Sequence, residues 1–260
     1  MSCIAIFDSG VGGLTVQKAI LERSPGLDTF YLGDTARVPY GTKSPEVVTQ
    51  YSLRNARFLV ERAPAVELLV VACNTASAVA LPALREQLRI PVLGVVEPGA
   101  RVAARSSATG RIGVIGTAST IASGAYQRAI RAARPSAEVV ARACPLFVPL
   151  AEEGWTDPDD EVVRAVARRY LAPFAAAAVD TLVLGCTHYP LLAPAIAKEL
   201  PGVTLVDSAE AIAAEVAERL PTAGTTSSHG FFVTDTPARF LTVAERFLGR
   251  PVIAAEQVDI

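Results

Sequence analysis

Two of the four cysteines in this 260-residue chain stand where a thiol can do chemistry. Cys73 ends the apolar run Val-Val-Ala-Cys and is followed by Asn74 and Thr75; Cys186 ends Leu-Val-Leu-Gly-Cys and is followed by Thr187 and His188. A thiol between a buried strand and the start of a helix feels the positive end of the helix dipole. That favours the thiolate, the form that acts as base or nucleophile. His188, two residues from Cys186, can tune that thiol or share its proton. A single cysteine in such a place is more often an inert buried thiol, and a single histidine reads equally as a hydrogen-bonded structural residue. Cys3 and Cys144 lack this setting and read as structural.

Other polar residues sit at similar places. Asp8 and Ser9 open Asp-Ser-Gly-Val-Gly-Gly. Amides of a glycine-rich turn can bind a carboxylate, and Asp8 can pair with an ammonium group or polarise Cys73. The plain alternative is an Asp that caps the next helix. The stretch from Gly33 through Tyr40 to Gly41 offers backbone amides to a carboxylate, or is an ordinary surface turn. Gly10-Val-Gly12-Gly13 is not a dinucleotide fingerprint, since Thr15 stands at the third glycine position. Gly41-Thr-Lys43-Ser44 lacks the Gly-Lys pair and the preceding strand of a phosphate loop. Two histidines in all, His188 and His229, argue against a multi-ligand metal site. The absence of a Cys-x-x-Cys pair argues against a dithiol redox centre.

Short apolar strands alternating with helical stretches must position these residues. Strands are expected at 4–7, 29–32, 68–72 and 91–95, with helices near 14–22, 45–62 (Ser44 as N-cap, Pro45 first) and 76–88. The pattern then restarts, with strands at 111–115, 138–143, 181–184 and 204–206. Its helices fall at 120–133, 159–178 (interrupted at Pro173), 191–200 and 209–220. A further strand is expected at 231–234, and Ala223 to Ser228 reads as an exposed loop. The βαβα order argues for parallel sheets with helices on both faces. The halves resemble one another: Ile4 to Ser9 matches Ile112 to Thr117, and Val70 to Thr75 matches Val183 to His188. Each half thus carries a cysteine at the end of a buried strand, where open α/β sheets bind ligands. The repeat is what favours a functional pair of thiols over two inert ones.

The fold class expected is α/β with two pseudo-symmetric domains, each a mainly parallel sheet flanked by helices. Residues 1–97 plus 209–260 form the first and 98–208 the second. A net charge of −2 gives no electrostatic case for nucleic acid or an anionic membrane. No apolar run approaches the ~20 residues of a spanning helix. The first residues lack a basic region and reach an acid at Asp8, so a cytoplasmic protein is expected.

Five segments together resemble the glutamate racemase family: Phe-Asp-Ser-Gly-Val-Gly-Gly-Leu-Thr-Val (7–16), Gly-Asp-Thr-Ala-Arg-Val-Pro-Tyr-Gly-Thr-Lys-Ser (33–44), Cys-Asn-Thr-Ala-Ser-Ala (73–78), Val-Val-Glu-Pro-Gly-Ala (95–100) and Gly-Cys-Thr-His-Tyr-Pro-Leu-Leu (185–192). The resemblance implies an enzyme that interconverts L- and D-glutamate without cofactor or metal, supplies D-glutamate for peptidoglycan, works in an interdomain cleft and forms a homodimer. It assigns Cys73 to deprotonate D-glutamate and Cys186 to deprotonate L-glutamate. Asp8 assists Cys73, His188 assists Cys186, and Glu152 supports the His188 side. It implies substrate contacts at Asp8, Ser9, Tyr40, Gly41, Asn74, Thr75, Thr187 and His188. Related two-cysteine racemases acting on aspartate or hydantoins, and a non-catalytic amino-acid-binding protein, are the alternatives.

Overall fold

A computed structural model describes residues 2–63, 65–221 and 227–260. Its first half runs β1 (Cys3–Asp8), α1 (Leu14–Arg23), β2 (Asp28–Gly33), α2 (Pro45–Arg62), β3 (Val66–Val71), α3 (Asn74–Val79), α4 (Leu81–Gln87) and β4 (Val92–Gly94). The chain then continues through α5 (Val96–Ser106), β5 (Arg111–Gly116), α6 (Ala118–Ser123), α7 (Ala125–Ala133), β6 (Glu138–Ala143) and α8 (Phe147–Glu153). Next come α9 (Glu161–Ala176), β7 (Thr181–Gly185), α10 (Ala193–Glu199), β8 (Thr204–Asp207) and α11 (Ser208–Arg219). It closes with β9 (His229–Val233), α12 (Pro237–Leu248) and β10 (Glu256–Gln257).

The strands form two sheets, ordered β10-β9-β2-β1-β3-β4 and β6-β5-β7-β8, and the pairings within both are parallel. The order β2-β1-β3-β4 recurs as β6-β5-β7-β8. β1 therefore corresponds to β5 and β3 to β7, the pairs whose sequences repeat. Along β1, Ile4 and Ile6 enter one apolar cluster with α1, α11 and α12, while Ala5 and Phe7 enter another with α2, α3 and α4. Both faces of this central strand are covered, which is why it reads as an unbroken apolar run. The second sheet has a cluster on each face in the same way. The chain passes between the sheets at Val95–Val96 and again at Asp207–Ser208. These crossings touch: a Cβ on Gly99 would lie 3.3 Å from Ser208 Cβ.

Several helices differ from their sequence expectation for local reasons. The helix expected at 76–88 breaks at Ala80, with Pro82 in the first turn of α4. That at 120–133 breaks at Gly124, whose φ of 66° is left-handed. Pro173 does not interrupt α9: it lies in the last turn, where one intrahelical bond is lost. Helices α5, α8 and α12, the Tyr189–Leu192 turn and the short strand β10 were not anticipated. Of the loop expected at Ala223–Ser228, positions 223–226 lie outside the described residues; Ser228 is exposed and Ser227 half-buried.

Candidate active site

The C-terminal ends of β1, β3, β5 and β7 converge on one cavity of about 160 Å³ between the sheets. Cys73 is the N-cap residue of α3, separated from the end of β3 by Ala72, and Cys186 directly follows β7. Both thiols line the cavity, and both residues are nearly buried, 5% and 6% exposed. Ser9, Tyr40, Gly41, Asn74, Thr75, Thr187 and His188 also line it. Asp8 and Glu152 are not on its wall; each stands behind one of the wall residues.

On the Cys73 side, the thiol donates to Ser9 Oγ at 3.7 Å. Asp8 is fully buried. Its Oδ1 accepts from the Gly10 amide at 2.9 Å and its Oδ2 has no partner. Helix α1 begins at Leu14 with Gly13 before it, so Asp8 closes the turn 8–10 rather than capping that helix. Burial raises the Asp8 carboxyl above the usual range, against the opposing pull of His188 and the Gly10 amide. Burial and the neighbouring Asp8 push the Cys73 thiol up to about 12.

The Cys186 side is built oppositely. His188 Nδ1 lies 3.8 Å from Cys186 Sγ, and His188 Nε2 lies 3.0 Å from Glu152 Oε1. Burial alone would disfavour the imidazolium, but its bonds to Cys186 and Glu152 carry it up to about 10. The bond to His188 lowers Glu152 despite its partial burial. Two arginines of α12 reach this acid. Arg239 Nη2 is 3.5 Å from Glu152 Oε2, and Arg246 donates to the Glu152 carbonyl. Phe247 meets the His188 ring edge-on, with centroids 5.1 Å apart.

Two buried polar atoms at this site lack partners, the Asp8 Oδ2 acceptor and the Asn74 Nδ2 donor. Asn74 lines the cavity; its Oδ1 accepts from Tyr126 Oη at 2.6 Å, and its Nδ2 is buried with no partner. Such orphans in a native fold call for a ligand or a role. The structure adds residues the sequence reading did not single out for the site: Thr117, Pro145, Val148 and Pro149 on the wall, and Thr120 behind it. The hydroxyls of Thr75, Thr117 and Thr120 are mutually bonded at 2.9–3.1 Å, joining α3 to the cap of α6. The internal repeat held the signal for Thr117, which occupies the place of Ser9.

A larger, shallower groove of about 590 Å³ lies between α4, α5 and α7. Its guanidiniums are already engaged: Arg85 by Glu97 within the groove, Arg101 by Glu215 and Arg128 by the Ser123 carbonyl. Neither a thiol nor an imidazole lines it. Among the described residues, no group of three or more His, Cys, Asp or Glu side chains is arranged to hold a metal ion. Nor, among them, is any helix long and apolar enough to cross a membrane.

Residues 14–216 match the model of the Asp/Glu/Hydantoin racemase family. The glutamate racemase of Geobacter metallireducens is 58% identical, over 99% of this chain and 96% of that protein. The crystal structure of a Bacillus anthracis glutamate racemase superimposes with a TM-score of 0.94 at 40% identity, covering 100% of this chain and 98% of the other. That of the Francisella tularensis enzyme in complex with D-glutamate gives 0.89 at 36% identity, covering 99% and 97%.

Proposed function

Because this chain belongs to the Asp/Glu/hydantoin racemase family, we propose that it interconverts L- and D-glutamate by proton transfer at Cα between Cys73 and Cys186. The observation that carries this reading is the pair of thiols at corresponding strand ends of two sheets of the same order, on the wall of one cavity. Inverting a stereocentre with two bases needs an acid and a base on opposite faces of the carbon. Two similar halves supply both.

In the L-to-D direction, the Cys186 thiolate takes the α-proton and its electron pair stays on the substrate. The Cys73 thiol then delivers a proton to the other face, leaving Cys186 as thiol and Cys73 as thiolate. The reverse direction exchanges the roles. The imidazolium of His188, held by Glu152, stands beside Cys186 Sγ at 3.8 Å and is the group proposed to assist it. Asp8, buried behind Cys73, is proposed to assist it when Cys73 acts as base. Its raised pKa brings it closer to that task. The α-proton is a poor acid, so the carbanion needs fixed donors in a dry site. The unpartnered Asn74 amide is one such donor. Ser9, Thr75, Thr187, His188 and the backbone of Tyr40–Gly41 complete the set proposed to hold the amino acid.

Relatives spanning nearly the whole chain are named glutamate racemases, which favours glutamate over aspartate. A protein that only binds an amino acid needs no paired thiols. The product supplies D-glutamate for peptidoglycan, and the active species is proposed to be a homodimer. The test takes the active peak from a sizing column, records its mass against the 27.2 kDa chain, and incubates it with each enantiomer in D₂O without added cofactor. Loss of optical signal with α-deuterium in the product, abolished by Cys73→Ser or Cys186→Ser, is expected. No exchange with glutamate overturns the reading, and an active peak of single-chain mass overturns the dimer.

A further inference from the structure

The cavity wall formed by Val38, Pro39, Tyr40, Gly41 and Thr42 has no regular element to hold it beyond one short turn at 40–42. A buried polar cluster stands behind it. Asp34, just beyond β2, is fully buried, and its Oδ1 accepts from Arg37 Nε at 2.7 Å and Thr234 Oγ1 at 2.8 Å. Its Oδ2 accepts the hydroxyl proton of Tyr40. Asn55, buried on α2, donates from Nδ2 to Tyr40 Oη at 3.1 Å and accepts from Arg37 Nη2 at 2.9 Å. The Arg37 guanidinium lies over the Tyr51 ring, 4.6 Å from its centroid.

This arrangement commits the Tyr40 hydroxyl. Its one proton goes to Asp34 and it accepts from Asn55. Burial and the adjacent Asp34 raise its pKa far above the ordinary value, so it stays a neutral donor. What this wall offers a carboxylate is therefore backbone amide, and its placement depends on the cluster. The wall is also confined on the other side: a Cβ on Gly41 would lie 2.6 Å from Thr117 Cβ, across the cleft. With little free space there, a shift of the 38–42 segment changes the dimensions of the cavity.

We propose that Asn55, bonded directly to Tyr40, and Arg37, joined to Tyr40 through Asp34 and Asn55, are positioning residues for glutamate that set the wall 38–42 at the distance its carboxylate requires. This rests on the racemase reading and deepens it. Neither residue lines the cavity, and they act on substrate binding rather than on proton transfer. Loss of Asn55 therefore raises KM and spares kcat. By symmetry the equilibrium constant of a racemisation is unity, so kcat/KM falls by the same factor for both enantiomers.

The test is a double-mutant cycle of Asn55→Ala, Tyr40→Phe and the pair, with KM and kcat measured in both directions. For each single variant, which removes two bonds of the cluster, KM is expected to rise roughly tenfold or more, with kcat within about twofold. The double variant is expected to fall well short of the product of the two single effects, because both changes break the Asn55–Tyr40 bond and disturb the same Asp34–Arg37 cluster. Arg37→Met keeps the apolar stem and leaves both buried partners in place, and is expected to show the same split if the Asn55 variants fail to fold. Additive effects in the cycle, unchanged KM, or a fall in kcat at constant KM overturns the proposal. Wild-type protein in the same assay separates the two claims: absence of any glutamate racemisation defeats the racemase reading itself.

Discussion

Glu152 and His188 make an ion pair whose pH limits can be worked out residue by residue. His188 is raised from 6.5 to about 10, so its contribution to stability is fully present below 6.5 and is lost as pH rises through about 10. Glu152 is lowered from 4.5, so its contribution is present above 4.5 and is lost as pH falls through its lowered value. The melting temperature of Glu152→Gln is therefore expected to fall furthest below wild type near neutral pH, with the gap closing toward pH 10 and in acid. A gap that does not vary with pH would refute the pairing. His188 and Cys186 were legible as neighbours because only Thr187 separates them. The acid partner was not legible from spacing, since Glu152 comes from a helix that the sequence pattern did not reveal; only the family resemblance pointed to it. Asp34 and Asn55 had no signal of their own, because a buried polar cluster is defined by which side chains meet, and α2 brings Asn55 to the loop from outside the motif.

The loop between β1 and α1 shows what an element must sacrifice to let two halves approach. A Cβ on Gly12 would lie 2.2 Å from Thr187 Oγ1 and 2.5 Å from two ring atoms of His188. Its neighbour Thr15 has its hydroxyl 3.1 Å from the Thr187 carbonyl, so the start of α1 is seated directly on the Cys186 segment. Gly12→Ala is expected to displace His188 and lower kcat roughly a hundredfold while the far-ultraviolet dichroism stays native. Wild-type kcat in this variant would show that the loop yields at no cost. The glycines here were legible as a turn, but their reason was not, because the atoms they make room for are distant in sequence. The other strands of both sheets, unlike the exposed Glu-Gln pair of β10, were legible for the opposite reason: they are short, largely apolar runs, and the repeated run-plus-cysteine made the equivalence of β3 and β7 visible. Helix breaks at Ala80 and Gly124 escaped the pattern because the apolar spacing carries across them. α12 escaped because nothing in the family motifs reaches that far along the chain.

At the scale of the whole molecule, the cavity presents a problem of access. Its two thiols are nearly buried, yet a charged amino acid must enter and leave on every turnover. Several contacts that close it run between the sheets: Thr75 to Thr117, Asn74 to Tyr126, and the arginines of α12 to Glu152. The covalent connections between the sheets are the adjacent crossings at Val95–Val96 and Asp207–Ser208, with α5 and α11 packed beside one another there. Rotation about that pair is expected to open the cleft by breaking these hydrogen bonds and the limited apolar contact that Ala151 and Leu191 make with the first sheet's cluster, at far less cost than unfolding either sheet. Glutamate bridging the two walls stabilises the closed form by its differential affinity for it. Amide hydrogen exchange is expected to slow on adding glutamate at 38–42, 73–77 and 186–189, which carry the walls, and to stay unchanged in β1 and β5, which lie within the cores. Uniform protection across both sheets would mean that glutamate stabilises the whole fold without a separate opening motion. Absence of protection at the three wall segments would mean that the cleft does not close on its substrate.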